Sequence, residues 1–142
     1  MRVGFDLFAA LSDLSLYRPS GGGHEGPVGS DPLTDGRLCE TYPDAIFCAL
    51  LGHRPGAKRT PSGLQERIAA LKLKRIVDAE GGLWRRTLDE IDACAAAYAA
   101  YALATGLGSW VGDAEEGVIV LPVLKLRPRY DKLPPPHRAV LA

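Results

Sequence analysis

The sequence predicts a helix-rich α/β domain. Several stretches place apolar side chains at helical spacing, and two segments, 38–42 and 118–123, read as strands. Short strands mixed with helices argue for an α/β domain, although two strands are too few for a complete sheet.

At 142 residues the chain has the usual size of one domain. Hydrophobic residues make up 46% and charged residues 24%, which excludes a disordered or fibrous chain. No apolar run reaches the roughly 20 residues that a membrane span needs. An acid, Asp6, interrupts the first apolar stretch, so the start does not read as a signal peptide. The odd set Cys39, Cys48 and Cys94 lies among apolar neighbours. It reads as buried reduced thiols, and the expected location is cytoplasmic.

The elements follow in order. Residues 5–14 carry apolar side chains at 5, 8, 11 and 7, 11, 14, which predicts a short amphipathic helix. The rival reading is a first strand over 2–6. Residues 18–37 hold Gly21-Gly22-Gly23, Gly26, Gly29, Pro27 and Pro32, and read as a long flexible loop. After the strand at 38–42, Pro43 suits the first turn of a helix that Gly52 ends. A basic loop, 53–59, leads to Thr60-Pro61, an N-cap followed by proline at the first helical position. That helix is expected to run to about Ala79, with Gly81-Gly82 as its break. Thr87 and Glu90 fit a capping box. The alanine-rich helix behind it is expected to run to about Thr105 and to be buried. The apolar run 118–123 reads as a strand covered on both faces, and the basic tail from Lys125 as extended. Pro134-Pro135-Pro136 favours polyproline II.

Zero net charge hides an alternation. Residues 1–52 hold 3 basic and 7 acidic side chains, residues 53–86 hold 9 and 3, residues 87–117 hold 0 and 6, and residues 118–142 hold 5 and 1. Such blocks either form a cationic groove around an acidic centre or simply pair with each other.

Three acids stand out. Alternation puts Glu40 on one strand face with Leu38 and Tyr42, where a buried carboxylate needs a partner or a metal; the equal alternative is an exposed strand face or a pair with an arginine. Asp89 and Asp92 are three apart on one helix, hence neighbours on its surface. The helix dipole accounts for Asp89, whereas Asp92 lies beyond the capping positions. Carboxylates converging from a strand and a helix suit Mg²⁺ or Mn²⁺, which clamp a phosphoryl group for in-line displacement. Lys58 and Arg59, before the next helix, are candidate phosphate ligands. No P-loop pattern occurs, and Cys39, Cys48 and His53 lack a zinc spacing.

Five short motifs occur in order: Glu40-Thr41-Tyr42-Pro43, Ala49-Leu50-Leu51-Gly52, Lys58-Arg59-Thr60-Pro61-Ser62-Gly63 with Glu66-Arg67, Asp89-Glu90-Ile91-Asp92-Ala93, and Glu116-Gly117-Val118-Ile119-Val120-Leu121-Pro122. This order resembles the uncharacterised domain family four hundred and twenty-nine, regarded as predicted nucleases of the ribonuclease H-like superfamily. The resemblance runs from about Gly4 to about Tyr130. It implies a ribonuclease H-like α/β fold with an acidic two-metal site holding Mg²⁺ or Mn²⁺. Glu40 would match the acid of the Glu-x-Tyr-Pro motif, and Asp89 and Asp92 the acids that open the last core helix. Family members begin with a strand bearing the first catalytic Asp, whereas Met1 falls partway along that pattern. The resemblance therefore implies a carboxy-terminal half-domain over 1–130, lacking the amino-terminal strands, with a Pro-rich basic tail over 131–142. Two functions are expected from it. One is an incomplete metal-dependent nuclease acting on nucleic acid. The other is a non-catalytic remnant or interaction module using the basic surface. A half-sheet also implies open strand edges, and with them self-association or a partner that supplies the missing strands.

Overall fold

The computed structural model describes residues 40–78, 82–113 and 117–133; of residues 18–19, 26–27, 37–38, 113, 117 and 118 it describes the backbone alone. Three two-residue strands, β1 (Arg18–Pro19), β2 (Gly26–Pro27) and β3 (Arg37–Leu38), precede helices α1 (Pro43–Leu51) and α2 (Pro61–Leu73). A 3₁₀ turn at Leu83–Arg85 leads to α3 (Leu88–Ala104) and the strands β4 (Ser109–Asp113) and β5 (Gly117–Leu121). The architecture is a small helix-rich α/β unit. An antiparallel β4–β5 hairpin, registered Ser109 to Leu121 and Asp113 to Gly117, forms its sheet. Gly26–Pro27 pairs with β4, and Glu40 adds a parallel bridge to Ile119 on the other side of β5. There the Val120 N–H donates to the Glu40 carbonyl at 2.9 Å.

Local chemistry explains the helix starts. The Thr60 hydroxyl accepts from the Gly63 N–H at 3.1 Å, and Pro61 occupies the first turn where no N–H is needed. At α3 the capping box is complete: Glu90 Oε2 accepts from the Thr87 N–H at 2.7 Å, and Thr87 Oγ1 accepts from the Glu90 N–H at 3.3 Å. The Thr87 N–H and the Thr87 hydroxyl, both donating to that carboxylate, hold the Glu90 carboxyl below its ordinary value. Gly52, at φ 74°, ends α1 in the left-handed region that glycine enters without strain.

The core is apolar and helical on one side, with β5 on the other. Ile46 and Phe47 of α1, Ile68 and Leu71 of α2, Ile91, Ala95 and Ala99 of α3, and Leu121 of β5 are buried together. Alanine at positions 95 and 99 is small enough for α3 to lie close to its neighbours.

Several expectations need correction. Residues 18–37 are not simply a loop, because they contain strand pairs; β1 pairs with β3 in parallel and β2 with β4. These pairings are made to distant segments, so local glycine content did not reveal them. Helix α2 stops at Leu73 rather than near Ala79. Arg75 takes φ 59°, with Ile76 N–H bonded to Leu71 O at 3.1 Å and Arg75 N–H to Lys72 O at 2.9 Å. This is a Schellman ending built on arginine, and the half-buried Ile76 secures it by packing on the core. Helix α3 is buried along one stripe only, since Ala93, Ala97, Ala100 and Tyr101 are exposed. Strand β5 is not an open edge: β4, a strand the sequence did not suggest, covers one side and Glu40 the other. Buried Val120 and Leu121, adjacent in sequence, show that both of its faces are covered. Asp131 and Lys132 do not extend away, because Arg54 bridges Lys132 and its N–H donates to Asp131 O at 2.9 Å. The helix expected at 5–14, Cys39 and the prolines at 134–136 lie outside the described residues.

Gly63 permits a close crossing. A Cβ there would sit 2.1 Å from the Ala57 carbonyl oxygen and 2.7 Å from that of Gly56. Gly63→Ala should therefore cost about 1–3 kcal/mol by forcing the 56–60 loop away, measured as a lower urea midpoint at unchanged m-value.

Candidate functional site

The site is built around one buried cation. Arg67 is only 2% exposed. Its Nη1 donates to the carbonyls of Gly56 and Gly63, each at 2.9 Å, and its Nη2 to Asp44 Oδ1 at 2.8 Å. The guanidinium also lies over the Phe47 ring, 5.5 Å from its centroid. One residue earlier, Glu66 Oε2 accepts from the Gly56 N–H at 2.7 Å. Adjacent side chains on α2 thus hold both backbone groups of Gly56. This fixes the loop that carries Lys58.

Lys58 Nζ is bonded to Asp92 Oδ2 on α3. That hydrogen bond is the main reason the Lys58 ammonium titrates above its ordinary 10.5, with the charges of Asp92, Asp44 and Asp89 adding to it. Asp92 is mostly buried, and its Oδ1 has no hydrogen-bond partner.

In front of this loop lies a cleft of about 650 Å³. Leu121, the last residue of β5, lines it together with Tyr42, Asp44 and Ala45 at the start of α1. Five cations line it, Arg54, Lys58, Arg67, Arg129 and Lys132, against one acid, Asp44. Tyr42, Tyr130 and Cys48 complete the polar part of the wall. Burial pushes the Cys48 thiol up, and the Asp44 charge adds to that, so this cysteine is a poor nucleophile. Cys48 and Cys94 are free and half-buried.

The sequence candidates fare differently. Lys58 is in the cleft and meets Asp92, and Asp89 is close enough to act on the same ammonium. Arg59 is exposed and lies outside the cleft wall. Glu40 is exposed, so its carboxylate keeps its water and needs no partner; of the two readings of that strand face, the exposed one holds. No group of three or more His, Cys, Asp or Glu side chains, among the described residues, stands close enough to hold a metal ion. A lysine rather than a free oxygen faces Asp92 Oδ2. The described residues as arranged do not fit Mg²⁺ or Mn²⁺. Arg54, Arg129 and Lys132 escaped the sequence reading as individuals. Their signal was the pair of basic blocks, which meet at the Arg54–Lys132 bridge.

Comparison with known proteins places the chain. A family model described as "Protein of unknown function (DUF429)" matches residues 24–116. The chain belongs to that family. The matched stretch contains Glu40, Lys58, Arg67, Asp89 and Asp92 and ends before Arg129, Tyr130 and Lys132. No curated protein and no solved structure matches. Among the described residues of this DUF429 member, no helix is long and apolar enough to cross a membrane.

The Lys58–Asp92 pair has a pH signature. A lysine whose folded pKa is raised adds stability that is fully present below its unfolded value of 10.5 and is lost as pH rises through the higher folded value. Thermal melts of the wild type and Asp92→Asn should differ by a constant gap from about pH 8 to about pH 10, with the wild type more stable. Above that range the gap should shrink.

Proposed function

We propose that this chain is the nucleic-acid-holding part of a metal-dependent nuclease of ribonuclease H-like fold, with the phosphate backbone seated in the cleft. The observation that supports the reading is the cleft's charge: five cations line it against one acid, and two of them, Arg54 and Lys132, have no carboxylate partner among the described residues. Cations in a concave wall attract phosphodiesters and exchange their counterions, whatever the base sequence. The exposed Tyr42 and half-buried Tyr130 offer ring faces for unstacked bases. On this reading Glu40, Asp89 and Asp92 are the proposed catalytic acids and Mg²⁺ or Mn²⁺ the proposed ion. Its coordination needs further ligands and the withdrawal of Lys58 from Asp92, so no hydrolytic step is assigned.

A second reading is favoured by that same ion pair. A carboxylate neutralised by a lysine suits a non-catalytic module that uses the basic surface for binding, alone or with a second copy or partner chain.

The test uses fluorescence anisotropy with a labelled single-stranded oligonucleotide. Binding is expected at low salt, with log affinity falling about 0.7 per log unit of salt for each phosphate engaged. A parallel incubation with Mg²⁺ or Mn²⁺ follows cleavage on a denaturing gel. Binding without cleavage is the expected outcome for this chain by itself. Cleavage that Asp92→Asn abolishes would establish the nuclease reading, and absence of binding at low salt would overturn both.

A further inference from the structure

The charges of the cleft do not balance evenly. Three of its five cations already have a carboxylate: Lys58 on Asp92, Arg67 Nη2 on Asp44 at 2.8 Å, and Arg129 Nε on Asp131 at 2.6 Å. Arg54 and Lys132 have none among the described residues. These two are also brought together, since Arg54 and Lys132 are bridge partners on adjacent parallel segments. Both side chains are exposed, and the bridge sets two like charges on adjacent segments, where a single anion has access to both.

The segment bearing Lys132 is tied down. Arg127 Nη1 donates to Gly52 O at 2.8 Å, the Tyr130 hydroxyl accepts from the Arg127 N–H at 3.1 Å, and the Arg54 N–H donates to Asp131 O at 2.9 Å. The two uncompensated cations therefore sit on a fixed backbone beside Tyr130, in the wall of a cleft of about 650 Å³. That volume is in the usual range for a small-molecule site.

Resting on the cleft reading above, we propose that Arg54 and Lys132 form a terminal-phosphate subsite, which takes the phosphomonoester of a nucleotide unit. The argument is charge matching. A phosphomonoester carries about −1.5 to −2 near neutral pH and offers three acceptor oxygens. Two backbone phosphodiesters are needed to match both cations, whereas one phosphomonoester matches them at a single point. The arginine fork takes two oxygens and the ammonium a third, while Tyr130 and Tyr42 flank the sugar and base. The phosphomonoester belongs either to a free mononucleotide or to a phosphorylated strand end. Lys132 lies beyond residues 24–116, so the subsite is assembled partly from chain outside the family match.

The experiment uses the whole chain and one labelled oligonucleotide sequence with 5′-phosphate, 3′-phosphate or hydroxyl ends. A phosphorylated end is expected to bind about tenfold tighter than the hydroxyl end, the value of one charged hydrogen-bonded contact. Arg54→Ala and Lys132→Ala should each abolish the difference while keeping residual binding to the hydroxyl-ended strand. Arg85→Ala, an exposed cation away from the cleft, should leave it intact, and thermal melts confirm that each variant is folded. Lys132→Arg should retain the preference. Adenosine monophosphate and inorganic phosphate serve as competitors. Competition by the mononucleotide at the concentration of the strand end identifies a small-molecule site, and competition only by strand ends identifies a nucleic-acid end site. Equal affinity for phosphate and hydroxyl ends overturns the subsite and leaves the cleft reading standing. Failure of every oligonucleotide to bind overturns both.

Discussion

The buried guanidinium of Arg67 is the contact on which the rest of the structure depends. Moving a charge out of water is costly unless it is paired and hydrogen-bonded, and Arg67 meets both conditions through Asp44, the loop carbonyl of Gly56 and the carbonyl of Gly63 in its own helix. Asp44 is 47% exposed, so the pair keeps one foot in solvent and its desolvation is partial. Two of these bonds tie other pieces of chain to α2: Asp44 brings α1, and Gly56 brings the loop that leads to Lys58. The planar fork reaches the carbonyls and the carboxylate at once, which a lysine ammonium on a flexible stem does not reproduce. The guanidinium Nε is buried without a hydrogen-bond partner, a cost retained in the arrangement.

From that anchor the electrostatics of the site follow. Once Gly56 is held by Glu66 and Arg67, Lys58 reaches α3 and neutralises Asp92. The acidic block of α3 is thereby offset in part, while Arg54 and Lys58 of the basic block line the cleft. The two readings of the charge pattern, pairing and groove, are therefore both realised, by different residues. Pairing accounts for Lys58, Arg67 and Arg129, and the groove's unmatched charge falls on Arg54 and Lys132. Asp92 keeps one buried oxygen without a partner. An acid in that state has a reason to attract a cation, and the lysine already supplies one.

The family resemblance and the geometry bear on different parts of the chain. The motifs that carry the resemblance coincide with the parts that make the scaffold: Pro43 and Gly52 bound α1, Thr60 to Gly63 turn into α2, and Glu66-Arg67 hold the loop. Their physical roles are capping, close approach and anchoring. Two of the five cations that line the cleft, Arg129 and Lys132, come from the carboxy-terminal segment.

Residues close in sequence determined what is local. Thr60 and Pro61, Thr87 and Glu90, and Gly52 specified helix boundaries, because a cap is a contact within about four residues and its energy is independent of the remaining fold. The apolar run before Pro122 announced a covered strand for a similar reason, since burial on both faces leaves no polar alternation. Only the tertiary structure decided the rest. Arg75 ended α2 before any glycine, with Ile76 packed on the core behind it. Strand β4 joins its neighbour β5 in a hairpin and also pairs with Gly26–Pro27, far away in sequence, while β1 and β3 pair across the stretch between them. Glu40 is solvated rather than buried, since strand alternation does not say which face the core covers. The cleft joins residues 54–58 to 128–132, and nothing in either stretch names the other, because charge fixes no geometry until the backbone has brought the chain back.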